Sequence, residues 1–298
     1  MLWKTADYTG WGRALHAKGE IARPERRRAL DDILAAGLAP AIGMRRSYGD
    51  AALNDGGRVI EMTRLDRMLS FDPATGVLEV EAGARVGEIA AAFGPKGWLP
   101  AVMPGTGFAT VGGCIGQDVH GKNHHHAGSF CQHVAGFTLI TAAGPVEVTP
   151  EATPDLFRAT AGGLGQTGVI TRAKLRLHPC KGDVMVVTER RVEDWDEHVA
   201  RLDASEATYT VGWIDATATG GALGRGILEE GETGSGLMPK RVRNRKVPLD
   251  APHFALAGPV VRAFNAAYYR RVPPSGRTVV KPIGDFFFPL DRIHDWNR

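Results

Sequence analysis

Apolar positions change period repeatedly along this chain, and no single period lasts long. Residues 25–36 have helical spacing, with Leu30, Ile33 and Leu34 on one face and Arg26, Arg27 and Arg28 on the other. Residues 39–42 and 59–62 are short apolar runs that read as strands. Residues 69–71 and 76–82 form a hairpin across the turn at 72–75, with Leu78, Val80 and Ala82 alternating on one side. Residues 86–93 are a short amphipathic helix. The pattern then lapses: residues 104–129 are glycine-rich and aperiodic, and no helix clearly opens there. Strands return at 136–141 and 146–148, and residues 155–160 make a turn or two of helix. After the glycines of 162–168, a strand sets Val169, Thr171, Ala173, Leu175 and Leu177 against Arg172, Lys174, Arg176 and His178.

Composition shifts near Cys180, which divides the chain into residues 1–180 and 181–298. Residues 183–215 read as strand, helix, strand. Residues 237–253 are a basic, proline-containing loop, 268–282 a similar one, and 285–289 open a new strand. Hairpins mixed with short helices indicate an α+β fold rather than a parallel βαβ array.

The 38 glycines among 298 residues are well above the usual share of about 7%. Glycine is conformationally costly, so this excess implies many sharp turns or close approaches to a ligand. The net charge of +3 and pI near 8.8 suit an anionic ligand or membrane surface and are too slight for nucleic acid. Cys114, Cys131 and Cys180 are odd in number and lack metal spacing, which favours a reducing compartment over a disulfide framework. The first residues lack a signal-peptide core, and no apolar run reaches the ~20 residues of a membrane span. The expected location is cytoplasmic or peripheral to the plasma membrane.

Three segments carry candidate chemistry. Residues 43–50 follow a strand, where successive amides can form an anion-binding concavity aided by Arg45 or Arg46; a plain surface turn is an equal alternative. Residues 104–113 bracket a short segment with Pro104–Gly105 and Gly112–Gly113, so its backbone can lie against a flat or pyrophosphate-bearing ligand. The segment has neither the ending of a phosphate-binding P-loop nor the spacing of a nicotinamide fingerprint, and residues 162–168 fail both patterns too. Residues 117–126 hold four histidines and Lys122. Metal-ligand spacing is missing, so the expectation is no metal. Either the side chains brace a loop, or His120 and Lys122 face a ligand and manage its charge or a proton. The basic run 240–246 lacks the interleaved aromatics of single-strand nucleic-acid sites; it is a solvated loop or attracts phosphate or an anionic membrane.

In order along the chain stand Gly43-x-x-Arg46-Ser47-Tyr48-Gly49-Asp50, Pro104-Gly105-Thr106 with Thr110-Val111-Gly112-Gly113, Asp118-Val119-His120-Gly121-Lys122-Asn123-His124-His125, and Gly162-Gly163-x-Gly165-x-Thr167-Gly168. This set resembles the FAD-linked oxidoreductases of the vanillyl-alcohol oxidase / p-cresol methylhydroxylase type. Residues 9–13, 223–225 and 295–298 extend the resemblance over nearly the whole chain. It implies an FAD domain of two α+β lobes and an incomplete antiparallel-sheet substrate domain. FAD contacts would come from Gly43, Arg45, Arg46, Ser47, Tyr48, Gly49 and Asp50, then from Gly105, Thr110, Val111, Gly112 and Gly113. Gln117, Asp118, His120, Gly168 and Ile170 would complete them, and Tyr48, His120 and Lys122 would lie at the ring and substrate.

Many relatives attach flavin through a histidine where this chain has Arg46, which implies non-covalent FAD. Arg45 stands where close relatives tend to have glycine, and Gln117 and Gln166 also depart from the pattern. The resemblance implies hydride transfer from a sugar alcohol to flavin. It is nearest to members that oxidise the 2-hydroxyl of a polyprenylphosphoryl ribose, whose keto product a partner reductase consumes. An alditol or aldonolactone oxidase and a non-catalytic flavin-binding chain are the alternatives. Relatives of this type continue past the Trp-Asn-Arg string to complete the substrate sheet and return to the FAD domain, so the resemblance implies a fragment, a truncated gene product or a half that needs a partner.

Overall fold

The chain begins with an antiparallel pair, β1 (Trp3–Thr9) and β2 (His16–Ala22), which the broken alternation around Gly19 conceals in the sequence. Helix α1 (Arg27–Ala35) and strands β3 (Ala41–Ile42) and β4 (Arg58–Glu61) complete a four-stranded sheet of order β1-β2-β4-β3. The expected helical face is the buried one: Leu30 and Ile33 pack with Ala22, Ile60 and Met62. The computed structural model describes residues 3–236, 243–247 and 252–297. Contacts divide it into two units, residues 1–179 and 180–296.

A second sheet completes the first unit. It comprises β5 (Met68–Asp72), β6 (Val77–Glu81), β7 (Trp98–Pro100), β8 (Val134–Thr141), β9 (Gly144–Val148) and β10 (Val169–Pro179). The order is β5-β6-β10-β8-β9, with β7 also on β10 and every pairing antiparallel. β10 follows its sequence pattern: Ala173, Leu175 and Leu177 are buried and Arg172, Lys174 and Arg176 exposed. Its connections hold α2 (Val86–Phe93), α3 (Val111–Gln117), the single turn α4 (His124–Ala127) and α5 (Pro154–Thr160). Two mixed lobes of sheet and helix are the α+β arrangement expected.

Helix α3 corrects the expectation that no helix opens after residue 104. Two glycines in its first turn are poor helix formers, but tertiary contacts outweigh propensity. Thr110 caps the helix by accepting from the Gly113 amide at 3.3 Å. The Val111 and Gly112 amides donate to the Ala84 and Ala82 carbonyls, both at 2.8 Å, while Val111, Cys114 and Ile115 are wholly buried.

The second unit starts with β11 (Val184–Val192), α6 (Trp195–Asp203) and β12 (Tyr209–Ile214), as the sequence suggests. β13 (Gly226–Gly234), β14 (Arg245–Lys246), α7 (Gly258–Arg270), β15 (Arg277–Pro282), α8 (Ile283–Phe287) and β16 (Ile293–His294) follow. Its antiparallel sheet has the order β12-β13-β11-β15. Two expectations fail here. Residues 268–282 are the end of α7 and a strand rather than a loop, because β15 pairs with β11 over six positions that its prolines and charges disguise. Residues 285–289 open no strand; Phe286 and Phe287 lie in α8, both 1% exposed. A three-residue apolar run has no period to distinguish the two. Of the basic run 240–246, residues 240–242 lie outside the described residues, and Arg245–Lys246 pair in parallel with Ile293–His294.

Candidate functional site

Strand β3 delivers the chain into the loop 43–50. Among the described residues, the amides of Met44, Arg45, Ser47, Tyr48 and Gly49 donate to no protein acceptor. Such a run of amides outside any helix or sheet is suited to an anion. The loop is held from behind: Trp11 donates its amide to the Ser47 carbonyl at 3.1 Å. A Cβ on Gly10 would stand 2.7 Å from the Gly49 carbonyl, and one on Gly12 2.9 Å from that of Tyr48. Residues 9–13 thus buttress this turn, a role that spacing alone does not reveal.

Arg45 turns the loop in the left-handed region at φ 51°. Glycine is the residue that adopts this conformation without strain. Its guanidinium lies 3.9 Å from the buried Glu61 carboxylate and 5.9 Å from the Tyr8 ring centroid, so its charge is shared with Glu61. Arg46 lies over the Phe108 ring at 4.6 Å and ties the loop to the next segment.

That segment sits directly opposite. A Cβ on Gly43 would come 2.2 Å from Thr110 Oγ1, so the two loops touch only because residue 43 lacks a side chain. The start of α2 fixes residues 107–109, since the Gly87 and Val86 amides donate to the Gly107 and Ala109 carbonyls at 2.9 and 3.0 Å. Gly49 and Gly105 differ from these packed glycines: a Cβ on either would meet nothing within 4 Å. Both are exposed and present bare backbone outward. The amides of Val111, Gly112 and Gly113 are already engaged within the protein, and α3 turns Gly113 and Gln117, one turn apart, to the outside.

After α3 the chain reverses at Asp118, left-handed at φ 41°, whose Oδ1 accepts from the Cys131 amide at 2.9 Å. His120 bridges to Ser129 across the returning loop. The loop is anchored by Asn123, 5% exposed, donating through Nδ2 to the Ala101 carbonyl at 2.8 Å. A Cβ on Gly121 would meet the Met103 carbonyl at 2.8 Å. Histidine frequency draws attention away from Asn123, although a loop asparagine is the natural backbone mimic. His124, His125 and His126 are exposed on the short α4, and among the described residues no three histidine, cysteine or acidic side chains gather as a ligand set. Burial pushes the Cys114 and Cys131 thiols up, away from nucleophilic use.

Residues 162–168 close the arrangement against α3. The Gly162 and Leu164 amides donate to the Ile115 and Gly116 carbonyls at 3.0 and 2.8 Å. Gly168, at φ 148°, leaves no room for a Cβ, which would stand 2.3 Å from the Ile140 carbonyl. A register shift follows Ile170, which is itself buried. The structure therefore unites the separate glycine-rich segments around α3. Tyr48, 76% exposed and edge-on to Trp11 at 5.0 Å, makes no hydrogen bond or ring contact with His120 or Lys122. Val111 and Ile170 face the core.

Residues 39–149 match the family described as an FAD binding domain. The chain is 38% identical over 274 residues to a decaprenylphosphoryl-beta-D-ribose oxidase from Mycolicibacterium smegmatis, which covers 87% of this chain and 59% of that protein. It is 28% identical over 147 residues to a D-arabinono-1,4-lactone oxidase from Yarrowia lipolytica, covering 46% of this chain and 28% of the relative. Identity to an L-gulono-1,4-lactone dehydrogenase from Mycobacterium tuberculosis is 29% over 185 residues, 58% of this chain and 41% of the other. The chain thus spans about three-fifths or less of the length of these relatives.

The residues present fit FAD. Five amides at 44–49 without protein acceptors offer donors for a pyrophosphate, and the bare faces of Gly49 and Gly105 admit a ligand at backbone distance.

Proposed function

We propose that this chain, whose residues 39–149 match an FAD binding domain, oxidises the 2-hydroxyl of a polyprenylphosphoryl-β-D-ribose. The observation that carries the reading is the 38% identity over 274 residues, which runs beyond the flavin cradle into the second unit. When bound, FAD supplies a hydride acceptor at N5 of its ring. The amides of residues 44–49 hold the pyrophosphate. Lys122 favours the alkoxide-like state of the substrate electrostatically and His120 takes its hydroxyl proton, while Tyr48 borders the substrate side. The second unit binds the sugar. Arg46, seated over Phe108, offers no side chain for flavin attachment, so FAD is held without a covalent bond.

A substrate on a polyprenyl chain brings the protein to a lipid surface, although among the described residues no helix is long and apolar enough to cross a membrane. The keto product then needs a separate reductase to complete an epimerisation. The second reading, a lactone- or alditol-type oxidase, draws on the matches to two lactone-oxidising enzymes.

Anaerobic bleaching of the flavin separates the readings. A polyprenylphosphoryl ribose should bleach it and a free polyol or aldonolactone should not; the reverse outcome supports the second reading. Failure of both sinks oxidation by this chain. Lys122→Met should lower kcat/KM by about 10²–10³-fold with FAD content unchanged, and unchanged turnover would remove Lys122 from the chemistry. Heat denaturation should release all the flavin.

A further inference from the structure

Helix α7 does not behave as a helix of a finished globular surface. Of its thirteen residues only Asn265 is buried, whereas a packed surface helix buries an apolar stripe. Val260 and Phe264, one turn apart, are 44% and 64% exposed, and just before the helix Phe254 and Leu256 are 69% and 77% exposed. Phe264 stacks on Tyr268 at 6.0 Å and continues the same face. Four large apolar side chains in eleven residues are thus held in water, at a cost that a covering partner would remove.

The charge around this face selects the partner. Residues 240–270 contain seven lysines and arginines and one acidic residue, Asp250. The whole chain carries only +3, so the excess is concentrated here and the remainder is net acidic. Arg262 and Arg270 are exposed on α7 itself, and Arg243, Arg245 and Lys246 are exposed in the preceding segment. Exposed aromatic and aliphatic side chains among basic ones, on a helix too short to span, match a segment lying in the plane of an anionic bilayer. A second copy of the chain would bring two such basic faces together, which like charge opposes.

We propose that α7 and the residues leading into it form a membrane-docking surface. Phe254, Leu256, Val260 and Phe264 enter the headgroup region, and the flanking arginines pair with anionic lipid. The proposal extends the lipid-linked substrate reading and rests on it for its occupant.

The test is co-sedimentation of the flavin-loaded protein with vesicles of phosphatidylcholine alone or with one-third phosphatidylglycerol. The protein should sediment with the anionic vesicles, less so at high salt, and stay in solution with the neutral ones. F254S/F264S should lower binding by about tenfold or more, with the flavin spectrum and thermal midpoint unchanged. Absence of sedimentation, or equal binding by the variant, overturns the proposal. A concentration-dependent dimer that the same variant abolishes also overturns it, by giving the face to a second copy. Vesicle binding without bleaching by the lipid-linked sugar would sink the substrate reading and leave this surface standing. Bleaching without vesicle binding would do the opposite.

Discussion

Adding one methyl group at Gly43 should push apart the two loops of the proposed flavin cradle. The new Cβ would stand 2.2 Å from Thr110 Oγ1 and 3.2 Å from both Thr110 Cβ and Cγ2. Thr110 is only 3% exposed and cannot swing into solvent. Overpacking of this kind costs about 1–3 kcal/mol. Displacing Thr110 also disturbs the cap it provides to the Gly113 amide, worth about 1 kcal/mol. The smaller conformational freedom of alanine in the unfolded chain offsets about 0.4–1 kcal/mol. Gly43→Ala should therefore destabilise by about 2 kcal/mol, a fall in Tm of about 4–8 °C for a unit of this size. FAD should bind about tenfold or more weakly, because a 1.4 kcal/mol loss of cradle alignment is tenfold.

Thr110→Ala alone should cost about 1 kcal/mol through the lost cap. The double variant is the decisive measurement. Removing Oγ1 and Cγ2 clears the space that the new methyl needs, so the double variant should be more stable than the sum of the singles by about 1 kcal/mol or more. Thermal unfolding and flavin titration of all four proteins would measure this coupling. Strict additivity, or a Gly43→Ala variant that binds FAD normally, would refute the account of why residue 43 is glycine.

Two further predictions concern backbone strain and acid stability. At Arg45, Gly should be more stable than Ala by about 1 kcal/mol, the reverse of ordinary positions, because both lose Glu61 but only Ala keeps the left-handed strain; equal thermal midpoints would contradict this. In the second unit, burial pushes the Glu189 carboxyl up, but Lys281, Arg277 and Arg271 outweigh it and hold it at about 2. Burial is likewise outweighed at Asp215 by Thr217, Arg225 and Asn265, which lower its pKa. A depressed folded-state pKa means stabilisation that is complete above the unfolded value near ~4.3 for Glu and is lost as pH falls through the folded one. Tryptophan fluorescence should therefore report loss of the second unit as pH falls from about 4 toward 2. Glu189→Gln should cost about 1–3 kcal/mol at neutral pH by taking the shared carboxylate from Arg277, Arg271 and Lys281, of which the last two keep Glu229, and should flatten that acid limb; an unchanged limb would exclude Glu189 as its source.

Regular periods made much of the fold legible. The 100° stripe of α1 and the alternations of β6 and β10 each have one face in a core, so burial and pattern coincide. Elements fixed by distant partners were not legible. Helix α3 depends on the carbonyls of Ala82 and Ala84, and β15 on pairing with β11, contacts that no local window contains. At the site, glycine content picked out segments that the fold brings together around α3. It did not distinguish glycines that pack, such as Gly43 and Gly168, from Gly49 and Gly105, which leave space open. Nor did the histidine-rich string reveal that Asn123, rather than a histidine, anchors its loop.

Strand β10 carries a consequence for the order in which this protein assembles. It is the last strand of the first unit in sequence, yet it sits inside the second sheet, bonded to β6, β8 and β7. Residues 77–81, 98–100 and 134–141 must wait for residues 169–179 before their edges are covered. Such long-range closure is slow. A nascent chain short of Pro179 therefore exposes open strand edges, and it lacks the loop 162–168 that braces α3 in place. Flavin capture should come late in synthesis, as a reporter that the first unit has closed, and apoprotein made under riboflavin starvation should be the form that chaperones and proteases meet.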